Sequence, residues 1–125
     1  MRGPFTRRDS PHRRGRRGER AGERWLTGEG YRIVARNFRT PVGETDLVGR
    51  EGEVLCFIEV KARMASTYGP AIGSISSRQR TRLVRAAALY LQRSPWDGAC
   101  RFDVLGLDWD GHEWEFTLLR GAFEA

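Results

Sequence analysis

Asp46, Glu59 and Lys61 are the residues of this 125-residue sequence whose types and spacing could do chemistry as a group. Asp46 lies in one strand-like run and Glu59 and Lys61 in the next, with the tight turn Glu51-Gly52-Glu53 between them. Were Gly52-Glu53 the two loop residues of the hairpin, Asp46 and Glu59 would face each other directly. A turn one residue earlier sets Asp46 opposite Phe57 and diagonal to Glu59, still on one face. Side chains alternate along a strand, so Phe57, Glu59 and Lys61 share one face while Val54, Cys56, Ile58 and Val60 share the other. Both faces carry bulky apolar groups, which marks a central strand covered on each side.

Two acids and a lysine at one end of such a strand are costly. Like charges placed opposite one another destabilise a sheet pair, and burial adds desolvation. A divalent cation offsets that cost: hard oxygen ligands on adjacent strands suit Mg²⁺ or Mn²⁺, with water completing the shell. The competing reading is an ordinary ion pair in which Lys61 neutralises Asp46 or Glu59. The spacing Asp-x12-Glu-x-Lys does not choose between them. Lys61 carries a hint of its own, because 21 of the 22 basic side chains are arginine and it is the one lysine. A compact ammonium, whose pKa moves on burial, offers what a guanidinium does not.

Holding these groups together requires a sheet with helices packed on it. Residues 1–14 mix Pro, Gly, Arg and Ser without periodicity and are expected to form a disordered basic arm, with residues 15–125 as a single domain. A first helix is expected over 15–29, with Ala21, Trp25 and Leu26 on its apolar side, Gly30 as its stop, and Gly18 and Gly22 weakening it. Strands follow at 31–38, 44–50 and 54–63, and residues 64–77, rich in Gly, Pro and Ser, read as a loop. Ser76 or Ser77 caps a second helix that reaches Arg93. Its Leu83, Val84, Ala87, Ala88 and Leu91 recur at helical spacing, while Arg78, Arg82 and Arg85 form a separate stripe. Strands at 101–108 and 113–119 flank the Asp110-Gly111 turn. The order α-β-β-β-α-β-β implies an α/β fold, a mixed β-sheet flanked by helices.

Composition narrows the functions further. No apolar run approaches the roughly 20 residues of a bilayer-spanning helix, so no membrane role is expected. The arginines at the start are not followed by the apolar stretch of a signal peptide. Cys56 sits in a strand-like apolar run and reads as a reduced core thiol, which points to the cytoplasm. His12 and His112 offer no zinc spacing, and the absence of a Gly-rich phosphate loop argues against an ATPase. The net charge of +6 is unevenly placed: residues 1–24 hold nine arginines against Asp9, Glu19 and Glu23. A second block, Arg78, Arg80, Arg82, Arg85 and Arg93, contains no acid. Two basic blocks fit a phosphate backbone, or else a solvated face and a tail.

Gly43-Glu44-Thr45-Asp46-Leu47 followed by Phe57-Ile58-Glu59-Val60-Lys61-Ala62-Arg63 resembles the GEIDL…FVEVKxR signature of the YraN-like family. Those small bacterial proteins are placed in the restriction-endonuclease-like, or PD-(D/E)xK, superfamily and are similar to archaeal Holliday-junction resolvases. The resemblance runs from Gly15 to Phe123 and takes in Gly18-Glu19, Gly30-Tyr31, Arg36-Asn37, Gly69, the arginine-rich second helix, Arg101-Phe102-Asp103 and Ala122-Phe123. Thr45 stands where Ile is usual and Gly22 where Ala is common, and residues 1–14 are extra.

What the resemblance implies is a restriction-endonuclease-like fold and a metal-dependent endonuclease acting on DNA, with branched or recombination intermediates as substrates. Asp46, Glu59 and the Val60 carbonyl would hold Mg²⁺ or Mn²⁺, and Glu19 on the first helix would complete the site. Lys61 would orient or activate the attacking water. Gln79, with Arg78, Arg82 and Arg85, would meet the nucleic acid. A homodimer would match the two symmetric scissile strands of a four-way junction. The alternative is a nucleic-acid-binding module that keeps the fold without cutting. Glu44 sits either beside the site or simply at a strand end, Arg36 and Asn37 either reach the site or hold a turn, and Asp103 serves either the family's site or a structural hydrogen bond.

Overall fold

The computed structural model describes residues 11–65 and 69–125. Helix α1 (Pro11–Gly28) leads into an antiparallel meander of β1 (Arg32–Thr40), β2 (Gly43–Glu51) and β3 (Val54–Met64). A 3-10 turn (Ala71–Ser74) and helix α2 (Ser77–Arg93) carry the chain to β4 (Cys100–Trp109), and a hairpin joins β4 to β5 (Trp114–Phe123). The five strands form one sheet in chain order, antiparallel except between β3 and β4. A parallel pair needs a crossover, and α2 supplies it. This is the expected order and the expected mixed α/β sheet.

The two helices cover opposite faces. Leu47, Cys56, Ile58, Leu105 and Leu107 pack with Ala21 and Leu26 of α1. Val48, Leu55 and Phe57 pack with Leu83 and Ala87 of α2. Neighbouring residues of β2 and β3 thus go alternately to the two cores, as the pleat demands. Phe57 and Ile58 are fully buried, and burial of such a side chain stabilises by about 1.5–3 kcal/mol. Cys56 is a buried free thiol, as expected.

Three features differ from what composition suggested. Helix α1 starts at Pro11, inside the segment expected to be an unstructured arm. Proline fits a first helical turn, and the arginines that follow are good helix formers. The rest of that arm, residues 1–10, lies outside the described residues. Second, the glycines expected to weaken α1 are what let it dock. A Cβ on Gly18 would overlap that of Ala62 on β3, and one on Gly22 would lie 3.0 Å from Leu105 Cδ2. Third, the Gly/Pro/Ser loop is tied to the sheet at Gly69 and Ala71. The Ala71 N–H donates to both Asp108 oxygens at 3.0 and 3.2 Å, and Arg63 Nη2 donates to the Gly69 carbonyl. Residues 66–68 lie outside the described residues.

Candidate active site

The β2–β3 register runs from Glu51↔Val54 to Leu47↔Ile58, so Gly52-Glu53 form the turn and the next position outward is Asp46 across from Glu59. This is the direct one of the two expected arrangements. The ladder ends at Leu47↔Ile58, and the Asp46 side chain takes its place: the Val60 N–H donates to Asp46 Oδ2 at 2.7 Å.

A local inversion of β1 accompanies this. Ala35 packs with the α2 core and Arg36 reaches Glu23 on α1. Simple alternation would send Phe38 to the α1 side as well. Its ring lies instead against Tyr90 of α2, 5.3 Å away and edge-on. Between them Asn37 has φ 50, the left-handed region that asparagine visits more readily than other side chains. Arg36↔Leu47 and Phe38↔Thr45 bracket this residue, so its place across β2 is Asp46. Thr45 is buried and its hydroxyl donates to the Leu47 and Ile58 carbonyls, at 2.9 and 3.4 Å.

Asp46 is the shared neighbour of two further acids. Burial, then the Asp46 charge and a hydrogen bond to it, push Glu59 up to about 9 and Glu19 up to about 7. Burial also raises Asp46, against the Val60 amide, the Glu59 hydrogen bond and the Lys61 charge. Glu44, exposed and paired with Arg39 at 3.7 Å, adds negative charge that raises all three. Lys61 acts in the opposite sense on both Asp46 and Glu59. The four residues Glu19, Asp46, Glu59 and Lys61 are therefore one electrostatic unit drawn from α1, β2 and β3.

Among the described residues no three acidic, histidine or cysteine side chains are already drawn round one point at metal-ligand spacing. The fit to a cation rests on the donor chemistry. Burial raises all three half-buried carboxyls, Glu19 to about 7 and Glu59 to about 9, and oxygen donors in that state exchange protons for a hard divalent ion. Asp46, Glu59 and Glu19 would hold Mg²⁺ or Mn²⁺; it is the N–H of Val60, not the carbonyl expected among the ligands, that meets Asp46.

The remaining expected residues separate. On α2, Arg78 and Arg85 are exposed and Arg82 half-buried. The Arg82 carbonyl packs so close to Gly43 that a Cβ there would overlap it, which sets α2 against the start of β2 three residues before Asp46. Gln79 belongs to a capping box. Its backbone N–H donates to Ser76 Oγ at 3.1 Å, and its Oε1 accepts from the Ser76 N–H at 2.9 Å. That employment accounts for a glutamine at this position without nucleic acid. Asp103, fully buried, accepts from the Tyr31 hydroxyl (2.9 Å), Arg101 Nε (2.7 Å) and the Gly121 N–H (2.9 Å), the structural alternative of the two. Arg101 continues to Glu51, which Arg120 also grips.

A pairing that spacing did not disclose lies beside the carboxylates. Arg36 Nε donates to both Glu23 oxygens at 2.9 Å, and Nη2 pairs with Oε1. Arg36, Glu23, Glu19, Asn37, Arg20 and Leu47 line a cleft of about 200 Å³. A larger cleft of about 570 Å³ runs between α2 and β4–β5, lined by Val84, Ala88, Leu91, Phe102 and Phe123. It is apolar and holds none of Glu19, Asp46 and Glu59, so volume does not mark the chemistry here.

The family model for UPF0102, described as an uncharacterised protein family, matches residues 18–107. A UPF0102 protein of Desulfosudis oleivorans is 45% identical over 112 residues, 89% of each chain. One of Halorhodospira halophila is 44% identical over 113 residues, 90% of each chain. The UPF0102 protein BAV3162 of Bordetella avium is 42% identical over 125 residues, 99% of this chain and 83% of its own. The matched span contains all four residues of the electrostatic unit, and the chain belongs to the UPF0102 family.

Proposed function

We propose that this protein is a divalent-metal-dependent endonuclease of restriction-endonuclease-like fold that hydrolyses DNA phosphodiester bonds, with branched intermediates as its substrates. What carries the reading is that the β2–β3 register sets Asp46 across from Glu59, that Asp46 raises both Glu59 and Glu19, and that the chain's one lysine acts on Asp46 and Glu59. A structural ion pair needs one acid for one lysine; Lys61 answers both Asp46 and Glu59, with Glu19 beside them and Arg39 acting on it, so the acids are left with charge or protons to give up.

Bound Mg²⁺ or Mn²⁺ would polarise the phosphoryl oxygen and offset the charge that builds on it. Asp46 and Glu59 would hold the ion from adjacent strands, with Glu19 as a further oxygen donor from the helix. The Val60 N–H fixes the Asp46 carboxylate in place without a rotamer search on binding. Lys61, two residues from Glu59 on the same face, orients the attacking water and faces the developing charge. The basic stripe Arg78, Arg82 and Arg85 draws in and aligns the backbone.

The test incubates the full chain with linear, single-stranded, flap and four-way DNA in Mg²⁺, Mn²⁺ or chelator. Cutting is expected with either metal, absent in chelator and in Asp46→Ala and Lys61→Ala. Binding without cutting under every condition would replace this reading with that of a binding module.

A further inference from the structure

We infer that Arg36, held by Glu23 in the cleft beside Asp46, is a phosphate-binding residue that takes the backbone phosphate next to the one being cleaved. The inference rests on the nuclease reading and adds to it a contact outside the metal site and outside α2. Position is the first ground. The cleft is shared with Glu19, and with Asn37, whose place across the sheet is Asp46. A strand of DNA whose scissile phosphate lies at the carboxylates therefore runs past Arg36.

Exposure is the second. Arg36 and Asn37 are exposed in succession, a break in the alternation of β1 caused by the left-handed Asn37. The Arg36 side chain is 58% accessible although paired. Glu23 occupies Nε and Nη2, while a guanidinium has five N–H groups. The outward donors keep the fork geometry that matches phosphate oxygens. A pair this exposed adds little to stability.

Charge is the third. An unrestrained guanidinium beside three carboxyls would fall onto them and neutralise the metal ligands. Glu23, one helical turn beyond Glu19, holds Arg36 at the rim instead.

The deciding measurement is the salt dependence of four-way DNA binding by the full chain in Ca²⁺, a cation chosen so that binding is read apart from turnover. Arg36→Gln is expected to lower the slope of log affinity against log salt by about 0.9, so raising salt from 50 to 200 mM costs the parent about 3.5-fold more affinity than the variant. Arg36→Lys restores the slope, and Glu23→Gln leaves it as steep as in the parent. An unchanged slope in Arg36→Gln, with parent binding intact, overturns the inference alone. A parent that binds no nucleic acid overturns the nuclease reading and this inference with it.

Discussion

Exchanging Lys61 for arginine keeps the charge and separates two roles. If position 61 served only to neutralise Asp46 and Glu59, a guanidinium would do as well, since it pairs carboxylates bidentately. If the position must orient a water with a compact, rotatable ammonium, arginine misplaces it. Lys61→Arg is therefore expected to leave melting temperature and DNA affinity near those of the parent while cleavage at saturating DNA falls by about 10²-fold or more. Equal cleavage by the two proteins would reduce Lys61 to a counter-ion. Gln79 shows the opposite case: a polar residue at the head of a basic helix, which resemblance offered to phosphate, closes the helix N-terminus on Ser76 instead.

Docking of α1 decides whether Glu19 belongs to the site at all. Glycine inside an exposed helix costs about 1 kcal/mol against alanine, so Gly18→Ala would ordinarily stabilise. Here the new methyl meets the Ala62 Cβ, and overpacking costs about 1–3 kcal/mol. The clash wins. Gly18→Ala is expected to lower the urea midpoint and, by lifting Glu19 from Asp46, to weaken Mg²⁺ binding measured by calorimetry; a more stable variant with unchanged metal affinity would contradict it. That Asp46 and Glu59 lie on one face of the β2–β3 pair was legible in the sequence because both candidate turns, with the period of a strand, keep them together; which turn forms, and so the direct register, came only with the fold. The part played by Gly18 was not legible, since propensity reports what a glycine costs a helix and not which surface it lets the helix touch. Asn37 escaped for a similar reason: one left-handed residue leaves no trace in composition, yet it reverses which face Phe38 joins. The Arg36–Glu23 pair joins a strand to a helix, and its existence depends on how α1 is rotated on the sheet, which hydrophobic spacing sets only coarsely.

Two clusters in different parts of the sheet pull the whole molecule's stability in opposite directions with pH. Glu51 is held down to about 2, first by its hydrogen bonds to Arg120 and then by Arg101, against an ordinary value of 4.5. Its contribution is complete above pH 4.5 and is lost as pH falls toward 2. Glu19 and Glu59 are pushed up to about 7 and about 9, so the fold holds their protons more tightly than the unfolded chain does. Their contribution is complete below pH 4.5 and drains away as pH rises through 7 toward 9. Without metal, stability is therefore expected to peak near pH 5 and the melting temperature to fall from there to pH 9, by about 4 °C for each kcal/mol lost. Mg²⁺ competes with those same protons, so its affinity rises across this window and saturating Mg²⁺ recovers the melting temperature most at pH 8–9. Glu59→Gln removes the titrating group, which flattens the alkaline limb and diminishes the recovery by metal. Melting curves from pH 4 to 9 in chelator and in Mg²⁺ decide it: a melting temperature that climbs from pH 5 to 9 in chelator, or that Mg²⁺ leaves unmoved at pH 9, would mean that the three carboxyls share neither protons nor an ion.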